Sequence, residues 1–325
     1  MRQARKIKKS AIKRLKTIHY QGHKMPFAEL SGLVAALCWT VSSLMAPKLI
    51  ERFGTMRFNT FRIITASTVL LLISAITQSF DASLWQHKNS IILSGILGIF
   101  LGDTCLFSAV HRLGPRRAGI LFATNAPISI LLSWLFLNER LSLWQLFACG
   151  LVLSGVVIAI LFGKRQQTHK WEQTKGRLSI GILMSLGGAL GQASGALLSK
   201  PALLDGADPI AVSALRVSTG AIALVVAYSF YYRHRLPNSA TPFNLLTSKD
   251  FLGLATIAIV GMVTGMSILV WGIGHADIGL VTTLSATVPV LILPGLWITT
   301  KQRPSGGAWL GAILVVMGAS LIILH

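Results

Sequence analysis

Between Gly102 and Phe162 the chain carries a set of marks that returns, altered, later on. They are Gly114-Pro115, an apolar run broken by Asn125-Ala126-Pro127, the hinge Asn138-Glu139-Arg140-Leu141-Ser142, and a last apolar run holding Gly150 and Gly155. From Gly265 to Leu324 the order recurs as Gly274-His275, a run broken by Thr287-Val288-Pro289, the hinge Lys301-Gln302-Arg303-Pro304-Ser305, and a final run with Gly311 and Gly318. Pro127 and Pro289 are 162 positions apart. One unit used twice restricts the fold to architectures made of two like halves.

The solvent of those halves follows from their side chains. Of 325 residues, 53% are hydrophobic and only 12% charged, against about 25% charged in a soluble domain. A helix crosses a bilayer with roughly 20 apolar residues. Ten stretches qualify: Leu30–Pro47, Asn59–Phe80, Ile91–Val110, Ala118–Leu137, Leu141–Phe162, Leu178–Leu198, Ala211–Tyr231, Phe251–Gly272, Ile278–Thr299 and Gly306–Leu324. The alternating strands of a membrane barrel are missing, so helices must satisfy the backbone in lipid. The expected class is all-α and integral to the membrane, with ten transmembrane helices.

Gly163–Arg177 is polar, basic and without apolar periodicity, and it reads as the linker between halves. Five spans precede it and five follow. An odd number of spans per unit turns the second copy over in the bilayer, which is the inverted-repeat plan of many secondary transporters. The expected division is a basic arm over 1–27, a first unit over 28–162, the linker 163–177 and a second unit over 178–325.

Residues 1–24 hold nine Lys and Arg and no acid, with Ile7, Ala11, Leu15 and Ile18 on one helical face. That pattern suits a helix lying on anionic headgroups; nucleic acid is not expected as a partner, because aromatic residues other than Tyr20 are lacking. Met25-Pro26, just before the first span, offers an alternative start, and N-terminal sequencing distinguishes the two. The positive-inside rule is pulled both ways: the arm places both ends in the cytoplasm, while the loops then outside hold sixteen Lys or Arg against three inside. Both termini are expected in the cytoplasm, in the plasma or inner membrane.

Cys38, Cys105 and Cys149 all fall inside predicted spans without paired spacing, as small packing residues do. No phosphate-binding Gly-x-x-x-x-Gly-Lys-Ser/Thr loop, His-Glu-x-x-His, Gly-x-Ser-x-Gly or Cys/His cluster occurs. An ATP-driven motor and an intramembrane hydrolase are disfavoured. No cofactor or metal is expected, and the protein is not expected to be an enzyme.

Ionisable groups within hydrocarbon usually face a cavity or a partner, because burying them there is costly. Asp103, between Gly102 and Thr104, reads as a pathway or proton-coupling carboxylate, or else as an aspartate bonded to a neighbouring helix. Arg62 and Arg216 occupy matching places near the starts of the second and seventh spans, and Lys48 and Lys200 end the first and sixth. A guanidinium stays charged and grips carboxylate or phosphate bidentately, so the arginines suit an anionic substrate; snorkelling to the headgroups is the plainer reading of the lysines. Pro127 and Pro289 each remove a backbone hydrogen bond and are candidate hinges. Gly187, Gly191 and Gly195 form a small-residue ridge for close helix approach. Trp39 and Trp271 lie inside spans, as pathway lining or as core; Trp85, Trp144 and Trp309 lie near span ends, as an interfacial belt does.

The pattern Ala36-Leu37-Cys38-Trp39 to Lys48, with Arg62, Gly102-Asp103-Thr104, Pro127, Asn138-Glu139-Arg140-Leu141 and Gly150/Gly155, resembles the EamA repeat of the drug/metabolite transporter superfamily. The second half is similar through Lys200, Arg216, Pro289, Gly311 and Gly318, with Lys301 where the first half has Glu139. The resemblance covers about residues 28–325. It implies two inverted five-helix EamA repeats around a central cavity, and export of small metabolites such as amino acids. The implied partners are a small-molecule substrate, membrane lipids and a proton or exchange substrate. Set beside this reading are a sugar-phosphate or lipid-linked carrier and a membrane-embedded transferase.

Overall fold

The computed structural model describes residues 27–113, 115–162, 177–234, 247–292, 294 and 305–324. The basic arm, nearly all of the linker and the hinge from Lys301 to Pro304 lie outside the described residues. Those described are helical, with no strand among them. In chain order the helices are α1 (Leu30–Phe53), α2 (Thr55–Ile76), α3 (Ala82–Gln86), α4 (Lys88–Leu113), α5 (Pro115–Phe122), α6 (Asn125–Leu137), α7 (Leu143–Phe162), α8 (Leu178–Leu204), α9 (Pro209–His234), α10 (Ser248–His275), α11 (Ile278–Ser285) and α12 (Gly306–Leu324).

Six of these are long and apolar enough to cross a membrane, and shorter apolar helices cover Leu30–Ala46, Asn125–Leu137, Leu143–Ala159 and Ile278–Ile292. Several helices outrun their predicted spans. α1 continues past Pro47 to Phe53, and α8 passes Leu198 to Leu204 with Pro201 inside it. The span read as Ala118–Leu137 is two helices that meet at Ala123 and Thr124.

That break explains how the chain tolerates Pro127. The proline sits in the first turn of α6, where a missing N–H costs little, and the Thr124 hydroxyl donates to Leu121 O at 2.6 Å. The same device recurs before Pro289, where Thr287 Oγ1 donates to Leu284 O at 2.7 Å. A Cβ on Gly119 would lie 3.8 Å from Pro289 Cγ, so the two breaks face one another.

A second irregularity is also repeated. α4 widens into a π-helical stretch at Gly95–Gly102, and α10 does so at Ala258–Thr264. Gly102 and Thr264 are 162 positions apart, the spacing of the two prolines. A π stretch frees a carbonyl from the helical ladder, and each one meets a helix of the other half. Trp39 Nε1 on α1 donates to Gly261 O at 2.9 Å. On α8, a Cβ at Gly191 would lie 2.6 Å from Leu97 O and 3.0 Å from Gly102 Cα. Only bare backbone fits there, and the ridge packed on α4 is Gly188, Gly191 and Gly195; Gly187, expected in it, lies exposed at its edge, where a Cβ would stand 3.7 Å from Cys105 Sγ of α4.

The halves thus interlock. α1 packs on α10, α8 on α4, and α2 on α9, where Ser67 and Ser218 share a hydrogen bond of 2.8 Å. α7 and α12 form their own pair: a Cβ on Gly311 would stand 2.5 Å from both Ala159 N and Gly155 O, and one on Gly318 2.8 Å from Ala148 O. Close backbone approach of this kind is how helices gain van der Waals contact in lipid. The outer faces present Leu183, Phe230, Phe251, Trp144 and Trp309, as a lipid-facing surface does.

Candidate functional site

Arg62 of α2 and Asp103 of α4 meet at the centre of the bundle. Arg62 Nη2 donates to Asp103 Oδ2 at 2.5 Å and to Asn59 Oδ1, one turn earlier on α2, at 2.8 Å. The guanidinium stands 4.9 Å from the ring centre of Phe107, itself edge-on to Phe58 at 6.1 Å. The two charged side chains are 11% and 17% exposed. Away from bulk water their attraction is damped far less than at a surface.

Arg216 of α9 approaches the same carboxylate from the other half, and Asp103 interacts electrostatically with both arginines. Arg216 is 1% exposed. Its Nη2 threads between helices α4 and α8, where a Cβ at Gly98 would come within 3.4 Å and one at Gly195 within 3.1 Å. Its Nε and Nη1 have no hydrogen-bond partner among the described residues. Unpaired donors on a buried cation are costly.

The repeat explains why this cation is left over. Asp103 follows directly on the π stretch of α4, and the residue that follows the π stretch of α10 is Gly265. The second half therefore supplies an arginine without its own aspartate. Trp39 fills the corresponding space, and a Cβ on Gly265 would lie 3.1 Å from its Nε1. Two guanidinium groups share one carboxylate, and the centre is cationic.

Lys200 lies elsewhere. It is fully buried near the C-terminal end of α8, where its Nζ bonds to Glu139 Oε1 and donates to Ala276 O at 2.7 Å. Glu139 Oε2 accepts the Ile278 N–H at the start of α11, at 3.0 Å. Asn138, left-handed at φ 56°, caps α6 and brings Glu139 back so that its N–H donates to Ser133 O at 3.2 Å, as C-terminal helix caps do. Lys48 falls on the last turns of α1. Trp271 of α10 stacks on His275 at 4.6 Å, and His275 Nδ1 lies 2.8 Å from Trp271 O. Of the residues singled out from sequence, the structure thus brings Arg62, Asp103 and Arg216 together and sets Lys200 and Trp271 apart from them.

Comparison with known proteins bears on the family and the fold. The profile of the EamA-like transporter family matches twice, over residues 26–161 and 179–324. The chain belongs to the EamA-like transporter family. Among curated proteins this EamA-like chain is 27% identical over 252 residues to a probable amino-acid metabolite efflux pump of Escherichia coli (strain K12), covering 74% of this chain and 80% of that one. A solved crystal structure superposes with TM-score 0.71 at 19% identity, over 91% of this chain and 96% of the other, which shows the fold. The EamA-like protein is a multi-pass membrane protein, and its family points to a transporter rather than an enzyme.

Some members of the EamA-like centre escaped sequence reasoning. Asn59 had a signal, since it stands three residues before Arg62 on the same helical face. Phe107 had none, because the partner that gives it its place comes from another helix; Gly195 was legible as part of a small-residue ridge, though its contact with Arg216 was not. Glu139 was legible as a hinge mark, though its contact with Lys200 was not.

Proposed function

We propose that this EamA-like protein is a secondary active transporter that exports a small anionic or zwitterionic metabolite, an amino acid or a related compound. Alternating access takes place between two inverted five-helix units, 28–162 and 178–325, joined by 163–177 and making ten spans. Both termini face the cytoplasm, and the membrane is the plasma or inner membrane.

The observation that carries this reading is the buried Arg216, whose Nε and Nη1 have no partner among the described residues while Asp103 is already bonded to Arg62. A desolvated guanidinium with spare donors is best stabilised by an anionic group brought to it. A substrate carboxylate fills that role, and the name of the bacterial relative supports the amino-acid class. Arg62 and Asp103 set the field of the site, and Asp103 is the group to exchange a proton if transport is proton-coupled. Pro127 and Pro289 serve as hinges, since their helices are already interrupted. Trp39 lies beside the centre, and Lys48 and Trp271 belong to the outer reaches of the pathway.

Counterflow in proteoliposomes, screened with amino acids, organic acids and sugar phosphates at two pH values, tests the reading. Accumulation of a carboxylate-bearing solute, lowered at least about tenfold in Arg216→Gln, supports it. No counterflow with any of these solutes, or an Arg216→Gln variant that transports normally, sinks it.

A further inference from the structure

The polar cluster at the end of α8 is distinct from the charged centre, and its construction points to a moving part. Glu139 belongs to the first half; Lys200, Ala276 and Ile278 belong to the second. Their bonds draw together the ends of α6, α8 and α10 and the start of α11, closing one face of the bundle between the halves. The carboxylate also meets the positive end of α11, where negative charge is favoured. All of it is out of water, with Glu139 7% and Lys200 0% exposed.

A buried ion pair is a poor permanent clamp. Its desolvation offsets most of its attraction, so that apolar side chains of the same size would hold as well or better. Its distinguishing property is that both ions regain hydration once water reaches them, which keeps the closed and the wet, open arrangements near balance.

We infer that Lys200 and Glu139 are the gate residues of one face, shut in the state described and opened when the pair hydrates. The inference takes its purpose from the transport reading, yet it is tested without a substrate.

Hydrogen–deuterium exchange of the full chain in lipid nanodiscs is the measurement. Glu139→Gln removes the carboxylate that Lys200 bonds in the described state, and exchange over 276–283 is expected to accelerate at least about tenfold, with 155–162 and 306–318 unchanged. Glu139→Gln/Lys200→Met removes both charges, and protection is expected to return to within about threefold of the parent. The same double variant, shut by neutral groups that gain little from hydration, is expected to show counterflow lowered at least about fivefold.

Unchanged exchange in Glu139→Gln, acceleration spread equally over α7 and α12, or a double variant that regains both protection and parental counterflow overturns the gate. If Glu139→Gln does not fold, the double variant decides: native protection with slowed counterflow supports the gate, and failure to regain protection overturns it. A parent protein without counterflow defeats the transport reading and leaves the exchange result standing.

Discussion

Asp103 and Gly265 hold the same place in the two halves, each directly after a π-helical stretch, and only Asp103 carries a charge. Around that single carboxylate stand Arg62, at 2.5 Å, and Arg216. With one acid between two arginines, the centre carries net positive charge among the described residues.

Asp103→Asn keeps the shape and removes the one counter-charge that faces these arginines among the described residues. Breaking a buried pair this way costs about 3 kcal/mol. The expected result is a loss of that size in unfolding by titration with sodium dodecyl sulfate. Arg62→Gln in the same chain is expected to recover about 1–2 kcal/mol, since it takes away one of the stranded cations. A double variant no more stable than Asp103→Asn would show that Arg62 is not coupled to it.

Trp39→Phe retains the ring and loses the indole N–H that satisfies Gly261 O. A cost of about 1 kcal/mol is expected, with faster exchange over 258–264 and no change over 95–102. Equal exchange in both π stretches would mean that the indole does not hold the carbonyl.

Gly311→Ala and Gly150→Ala make a matched pair. A methyl at Gly311 would meet backbone atoms of α7 at 2.5 Å, whereas one at Gly150 meets nothing within 4 Å. Gly311→Ala is expected to lower stability by about 1–3 kcal/mol. Gly150→Ala is expected to be neutral or to gain up to about 1 kcal/mol from helix propensity. Thermal inactivation in detergent ranks the two.

The His87–Asp205 bridge, at 2.6 Å, joins the same face as Glu139 and Lys200 but lies in water, with Asp205 58% exposed. Exposed pairs contribute about 0–1 kcal/mol. Asp205→Asn is therefore expected to leave both stability and exchange over 276–283 unchanged, in contrast to Glu139→Gln.

Hydropathy alone placed the apolar segments, because a bilayer demands a run of apolar residues whatever they pack against. It misjudged ends. α1 runs through Pro47 to Phe53 and α8 through Pro201, for a helix stops where hydrogen bonding stops, which need not be where lipid stops. The centre was legible as far as charge in hydrocarbon reveals it: Arg62, Asp103 and Arg216 stood out, and the structure assembles them. Lys200 stood out for the same reason and belongs elsewhere, because a charge in a span announces that it has a partner but does not name it. The ridge of α8 shifted from Gly187 to Gly188 since spacing by fours fits either face, and only the freed Leu97 carbonyl selects one. The π stretches had no sequence signal.

Two of the seams between the halves are built unlike each other. Along one, the Trp39 indole is bolted to Gly261; along the other, Gly191 lies against Leu97 and Gly102 as bare chain on bare chain. The glycine seam is fastened as well, since Ser94 Oγ on α4 donates to Gly195 O at 2.6 Å and Ser90 Oγ to Leu198 O at 2.5 Å. On both seams the first half supplies the donor and the second half a backbone carbonyl, so each clasp is set by one side chain and survives any substitution on the accepting residue that leaves its backbone in place.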